Sequence, residues 1–329
     1  MVDIYDVKKA LCDIGAQFPD LKGIENQPLI GGGGEGRVMP FLKDNGLVVK
    51  FYWSCQADRL LPEKQVLDCL NSHGGIPGLC IPKIVDTQDI EGNSIFSKFM
   101  IMTRVPGRAF PIETRLVDGV SFLYARGIGA MHQAFKQASG ELQETFFSDN
   151  YFNRPVYAPL HDSDRNVLEQ MIGDAELTEK VLDVFDSYKS IDVRPTWIHS
   201  DLNNGNSLYS LTDPDEYTGS FMTLESVVDF GLTLPADHPE MEFTQFANYP
   251  SQLPGICRGY RDETGVDLDP RLITTGGFLT RVMQVCDMVL CNDESNWGED
   301  FIDHVRDLYA YVSDPKRHTF PVYTQAPAA

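Results

Sequence analysis

Positive charge is scarce in this chain. Lys and Arg total 27 against 48 Asp and Glu, a formal charge of −21 over 329 residues. Nucleic acid and anionic membranes select for basic patches, so this balance argues against both as partners. It favours cations, metal ions or an amine-bearing ligand, and solubility is the other reading of the same acidity. Seven cysteines are scattered with no CxxC pair and no plausible zinc spacing. That excludes a disulfide scaffold and points to reduced thiols. No apolar run reaches membrane-span length, and no secretory apolar stretch stands at the N-terminus. A cytoplasmic protein is therefore expected. Internal repeats are absent, and low complexity is confined to a glycine run and the tail 325–329.

The length suits one large domain or two packed lobes. Apolar spacing predicts a short helix over residues 3–14. Strands follow at 37–41 and 46–53, joined by the hairpin signal Lys43-Asp44-Asn45-Gly46. Pro62 opens a helix to 72, and 84–86 and 97–103 read as strands. After Val105-Pro106-Gly107 the pattern turns helical, at 112–139, 162–171, 177–189, 241–248, 254–264, 270–291 and 299–313. Short strands at 207–209 and 226–230 interrupt it. The expected class is α+β: a small antiparallel sheet lobe with one helix over 1–103, then a larger helical lobe over 104–329. A cleft between lobes is a common place for a ligand.

Gly31, Gly33 and Gly36, with Val38, fit G-x-G-x-x-G-x-V. Glycines let backbone N–H groups approach phosphate oxygens, although a glycine run also serves as a plain flexible loop. A dinucleotide-binding turn would continue into a helix, but Pro40 forbids one and the context is strand–turn–strand. Lys50 ends the apolar run Leu47-Val48-Val49 and can present its ammonium to phosphates. Glu63, on the next helix, is placed to pair with it. Further on, His199-Ser200-Asp201 with Asn206 fits H-x-D-x-x-x-x-N, and Asp229 follows in an apolar segment. In a phosphotransferase Asp201 would orient the attacking hydroxyl, while Asn206 and Asp229 would offer hard oxygens to Mg²⁺. His199 reads as a residue that packs and hydrogen-bonds the loop.

With these motifs in this order, the chain resembles the aminoglycoside phosphotransferase and choline kinase family over about residues 24–311. These are small-molecule kinases with a protein-kinase-like bilobal fold. Val228-Asp229-Phe230 stands where family members carry I-D-W or a similar triplet, and Asp237 matches a further acid eight residues on. Met102-Thr103-Arg104-Val105-Pro106-Gly107 is similar to the hinge beside the adenine ring. The resemblance thus implies Met102, Thr103 and Val105 as nucleotide contacts. Ser200 replaces the usual Gly, Asn203 the frequent His and Asn204 the frequent Pro, changes that touch loop shape more than chemistry. The acidic run after the metal strand is poorly kept at 235–242, which blurs the substrate wall.

The expected activity is transfer of a γ-phosphoryl group from ATP or GTP, with Mg²⁺, to a hydroxyl of a small amine-bearing molecule. The enzyme would act as a monomer or homodimer. Asp237, Glu240, Glu242, Asp287, Asp293, Glu294 and Asp300 are candidate contacts to a substrate cation, and solvated helix faces explain the same acids. A kinase of the same fold for a metabolite or natural-product intermediate, of choline, homoserine or sugar type, is an alternative. So is a nucleotide-binding pseudokinase that regulates a partner.

Overall fold

The computed structural model describes residues 4–32, 36–109, 118–147, 166, 168–169, 175–189, 191–192, 194–202, 205–215, 219–247 and 249–290. The chain divides into two compact units. One takes Met1–Arg115, Gly127–Phe152 and His199–Leu234, and the other Leu116–Arg126, Asn153–Ile198 and Pro235–Ala329.

In the first unit, helix α1 (Ile4–Gln17) precedes strands β1 (Gly31–Gly32), β2 (Gly36–Pro40) and β3 (Leu47–Trp53). Helix α2 (Leu60–Ser72) and strands β4 (Ile84–Asp89) and β5 (Phe96–Thr103) follow. The strands form one antiparallel sheet in the order β1-β2-β3-β5-β4. Strand β3 is central, and its side chains alternate between two faces. Val49 and Phe51 join Leu11, Ile14, Phe96 and Phe99 in a core under α1. Val48 and Tyr52 point the other way, among Leu60, Met100 and Met102. Lys50 shares that second face by the same alternation.

Helix α2 starts two residues before Pro62, not at it. Proline fits anywhere in a first turn, because those N–H groups have no partner within the helix. Gly36 is fixed by sterics: a Cβ there would lie 1.9 Å from the Phe51 carbonyl oxygen, so the close β2–β3 approach demands glycine.

Strand β6 (Arg108–Ala109) pairs with β8 (Ser207–Asp215), which forms a hairpin with β9 (Gly219–Val227). Gly107, at φ 98°, allows this pairing, since a Cβ would meet Leu208 Cβ at 2.9 Å. The hairpin is far longer than the short strands predicted at 207–209 and 226–230. Strand β9 ends at Val227, and Phe230–Leu232 is a 3₁₀ turn.

Helix α3 (Asp118–Phe147) contributes residues to both units. The second unit holds α4 (Ala175–Lys189), the short strand β7 (Thr196–Ile198), all but the first residue of β10 (Leu234–Ala236), α5 (Leu253–Thr264) and α6 (Pro270–Leu290). The helix predicted at 241–248 is instead a 3₁₀ segment, Pro239–Phe246. Pro239 at its start lacks an N–H, and the bonds Met241 N–H to His238 O and Ala247 N–H to Thr244 O span three residues rather than four. The predicted helix at 299–313 and most of that at 162–171 lie outside the described residues. Among the described residues no helix is long and apolar enough to cross a membrane.

Candidate active site

Lys50 sits midway along β3, opposite Val38 on β2 and Met100 on β5. Its apolar neighbours give it no solvent, and its side chain is 4% exposed. A buried ammonium needs partners. Nζ donates to Glu63 Oε2 and to Asp229 Oδ1, both at 2.7 Å. Glu63 lies on the first turn of α2 and is 1% exposed. A third group completes the cluster. Tyr52 Oη donates to the same Glu63 oxygen at 2.6 Å, and the Lys50 ammonium lies 5.0 Å from the Tyr52 ring centre. Burial pushes the Glu63 carboxyl above its ordinary range, against the pull of the Lys50 ammonium. Burial and the neighbouring Glu63 push the Tyr52 phenol up as well. Sequence reasoning missed Tyr52. The signal was present, because two residues along a strand from Lys50 is the same face, and a buried phenol seeks a hydrogen-bond partner.

Asp229 does not lie in a strand, as its apolar neighbours had suggested. It follows the end of β9 in the left-handed region, at φ 66° and ψ 64°, and caps the Phe230–Leu232 turn. That kink turns the carboxylate out of the hairpin register toward Lys50. Asp is among the residues that tolerate this conformation.

Asn206, His199 and Ser200 each bond to the segment around Asp229. Val228 N–H donates to the Asn206 carbonyl at 3.0 Å. His199, fully buried, bonds the Val228 carbonyl through Nε2 at 2.9 Å. Because a carbonyl only accepts, Nε2 carries the proton; Nδ1 then accepts the Asp201 N–H at 3.4 Å. The imidazole also packs on Phe230, with ring centres 4.8 Å apart. Ser200 Oγ–H donates to the Leu232 carbonyl at 2.6 Å. Ser200 is itself left-handed, at φ 64°. Among the described residues it and Asp229 are the two non-glycines with positive φ. Asn206 Nδ2 donates to the Asp201 carbonyl at 2.8 Å and to Asp201 Oδ2 at 2.9 Å. One amide end therefore fixes the Asp201 side chain, and the amide oxygen is the end suited to a cation. The Asn206 amide oxygen and the Asp229 carboxylate are both hard oxygen donors, the kind that fits Mg²⁺ rather than a softer metal.

The first unit thus brings together Lys50, Glu63, Asp229 and Tyr52, and links Asp201 to Asn206. Gly31 pairs with Val38 at the sheet edge, and Gly36 opens β2. Gly33 lies outside the described residues. At the end of β5, Met102 is buried between Val48 and Ile84. Thr103 Oγ1 accepts from Lys83 N–H, and Val105 is half-buried beyond it. In the second unit, Asp237 is partly exposed, and its carbonyl accepts the Arg194 N–H. Glu242 and Glu240 are buried. Glu240 pairs with the Arg194 guanidinium and accepts the Asp269 N–H at 2.8 Å. Asp287 is on α6, while Asp293, Glu294 and Asp300 lie outside the described residues, as do Asn203 and Asn204.

Residues 27–267 match the model of the phosphotransferase enzyme family. No curated protein sequence is significantly similar to the chain. Among solved structures, a mutant of aminoglycoside 2'-phosphotransferase-IIIa in its GDP complex is 20% identical. The match has a TM-score of 0.64 and covers 91% of this chain and 94% of that one. A choline/ethanolamine kinase family protein from Mesorhizobium loti is 14% identical, with a TM-score of 0.57 over 95% of this chain and 97% of that one. The macrolide 2'-phosphotransferase MphH from Brachybacterium faecium is 15% identical, with a TM-score of 0.53 over 93% and 98%. At these identities the likeness is one of fold, the protein-kinase-like α+β fold expected from the motifs.

Proposed function

The chain belongs to the phosphotransferase enzyme family, kinases that act on small-molecule hydroxyls, and on that premise we propose that it moves the γ-phosphoryl group of ATP or GTP to a hydroxyl of a small, amine-bearing molecule. The observation that carries this is the buried Lys50 ammonium held at 2.7 Å by both Glu63 and Asp229. A lysine fixed by two acids can hold α- and β-phosphates as a pre-set point charge without reorganising. Gly31, Gly33, Gly36 and Val38 would cover the triphosphate, and Met102, Thr103 and Val105 would line the base. Residues 1–103 form the nucleotide lobe in this reading, and 104–329 carry the catalytic loop and the substrate site. Asn206 and Asp229 would hold Mg²⁺, which supplies charge neutralisation at the phosphate oxygens.

Asp201, oriented by Asn206 Nδ2, accepts the hydrogen bond of the substrate hydroxyl and takes its proton as the substrate oxygen bonds to the γ-phosphorus and the bond to the departing nucleoside diphosphate breaks. Asp237 is the acid we assign to the substrate amine. Glu240 already serves Arg194, and the burial of Glu242 takes it from solvent. The strong negative charge of the chain supports a cationic acceptor, since its field draws cations in.

The test is nucleotide consumption by the purified protein against amino alcohols, aminoglycosides, macrolides and amino sugars, with ATP and GTP in parallel. One class should be phosphorylated, and Asp201→Ala should lower its turnover by roughly 10²–10⁴-fold. A normal rate in Asp201→Ala would remove that residue from the mechanism. Amino alcohols alone as acceptors would mean a metabolite kinase. Nucleotide binding, seen as a thermal shift, without transfer to any acceptor would favour the pseudokinase reading.

A further inference from the structure

Three side chains of different chemistry meet away from the phosphate site. Cys69 and His73 are four residues apart at the end of α2, and Glu141 comes from α3. The Cys69 sulfur, a His73 ring nitrogen and a Glu141 carboxylate oxygen lie within 4.8 Å of one another. His73 Nδ1 is 3.9 Å from Glu141 Oε2. Cys69 is buried, whereas His73 and Glu141 are exposed. Cys69 Sγ also touches the Ala138 carbonyl at 3.8 Å, so the last turn of α2 already rests on α3.

We propose that Cys69, His73 and Glu141 form a binding site for a zinc-type divalent cation that fastens α2 to α3. Four-residue spacing puts the thiol and the imidazole on one helical face. Tetrahedral zinc has bonds of about 2.0–2.3 Å, which sets its donors about 3.5 Å apart. The donors stand wider than that, at 3.9 Å for His73 Nδ1 to Glu141 Oε2 and within 4.8 Å for the set. Rotation of the two exposed side chains, His73 and Glu141, closes the difference, and water takes the fourth position. The set mixes a thiolate, an imidazole and a carboxylate, which selects zinc over magnesium. His73 Nδ1 also bonds the Cys69 carbonyl at 2.9 Å. Ligation through Nδ1 replaces this bond, the ring proton moving to Nε2. On binding, the thiol releases its proton to solvent as the metal–sulfur bond forms. Glu63 precedes Cys69 by six residues on the same helix, about 9 Å along its axis. The site would therefore brace the helix that positions the Lys50 partner without entering the phosphate site. Sequence spacing gave no zinc pattern here, because the third donor comes from a remote helix.

The experiment is titration of the metal-stripped full chain with Co²⁺ and then Zn²⁺, followed by absorbance and thermal melting. One equivalent of Co²⁺ should produce a thiolate-to-metal charge-transfer band, Zn²⁺ should displace it, and Zn²⁺ should raise the melting temperature. Cys69→Ala should abolish the band. His73→Ala and Glu141→Gln alter exposed side chains and so leave folding intact. Each should weaken binding beyond the roughly 10-fold that marks the loss of even an outer-shell partner. Asp229→Asn should keep the band. A chain with no band at one equivalent would overturn the proposal. So would a band unchanged in His73→Ala and Glu141→Gln, which would assign the signal to the exposed Cys12, Cys55 or Cys80.

Discussion

Ser200 supplies a test that joins backbone strain to the active-site loop. Its φ of 64° is left-handed, and a residue with a Cβ pays roughly 1–2 kcal/mol there. Its hydroxyl also donates to the Leu232 carbonyl at 2.6 Å, a bond with a net value of about 0.5–1.5 kcal/mol. Ser200→Ala loses the bond and keeps the strain, so it should destabilise by about 1 kcal/mol. Ser200→Gly loses the same bond but releases the strain. Against that release stands the larger unfolded-state entropy of glycine, about 0.4–1 kcal/mol. These terms nearly cancel, so the glycine variant should match the parent within about 0.5 kcal/mol. The Ala variant should lie below the Gly variant by close to 1 kcal/mol, a few tenths molar in urea midpoint. Kinetics should give a different order. Both variants cut the tie between the Asp201 loop and the turn after Asp229, so both should lose kcat by roughly 5-fold, the equivalent of about 1 kcal/mol. Urea unfolding followed by fluorescence, with steady-state assays on the same samples, separates the two effects. An Ala variant as stable as the Gly variant would refute the strain argument. Unchanged kcat in both would refute the tether.

Lys50→Met leaves Glu63 as an uncompensated buried acid. It should cost about 3–5 kcal/mol of stability, and adding Glu63→Leu should recover most of that while nucleotide binding stays lost. Additive losses in the thermal melts of the two single variants and the double variant would contradict the pairing. Asp229→Asn should weaken nucleotide affinity and remove its Mg²⁺ dependence in calorimetric titration, whereas an unchanged titration would show that the metal is held elsewhere. His238 is fully buried against the Tyr188 ring, and desolvation lowers its pKa, with Arg194 adding to the shift and Glu240 and Asp237 opposing it. The unfolded chain therefore takes up a proton near pH 6.5 that the folded chain refuses, and stability falls as pH drops through about 6.5. His238→Gln should flatten the change in urea midpoint between about pH 7.5 and pH 5.5; an equal slope in parent and variant would rule His238 out.

The parts of the site legible in the sequence were those set by local rules. Lys50 is recognisable because an apolar strand cannot hide a lysine without a reason, and Glu63 because helix α2 follows within reach. Asp201 and Asn206 are recognisable by their fixed spacing of five residues, while the bond between them belongs to the fold. What escaped was set by tertiary context. The β8–β9 hairpin runs on through Thr212-Asp213-Pro214-Asp215, residues that read as a turn when taken alone. Tyr52 reads as an ordinary core aromatic until the hydroxyl is followed to Glu63. Glu240 and Glu242 look like solvated acids in a polar run, yet they are buried. In the case of Glu240 the reason is Arg194, which lies 46 residues earlier and is invisible to any local window.

Asp229 shows most clearly why pattern and geometry diverge. In the sequence it lies in an apolar run, which predicts a strand residue. In the fold the strand stops two residues earlier, and the chain spends one left-handed residue at Asp229 itself. Had the strand continued, period-two alternation would have fixed the carboxylate to one face of the β8–β9 ribbon. The kink frees it from that constraint, and Lys50, from a different sheet, meets it at 2.7 Å. Both left-handed non-glycine residues among those described, Ser200 and Asp229, fall in the two segments that carry the proposed chemistry. Backbone strain persists only where surrounding contacts over-determine it. Those contacts include His199 to Val228, Asn206 to Val228 and Ser200 to Leu232. They hold the two strained segments against each other, so the acid of one and the amide of the other keep fixed positions before any nucleotide arrives. Preorganisation of this kind is what a phosphoryl-transfer site needs most, because its catalysis rests on placement and charge rather than on covalent chemistry.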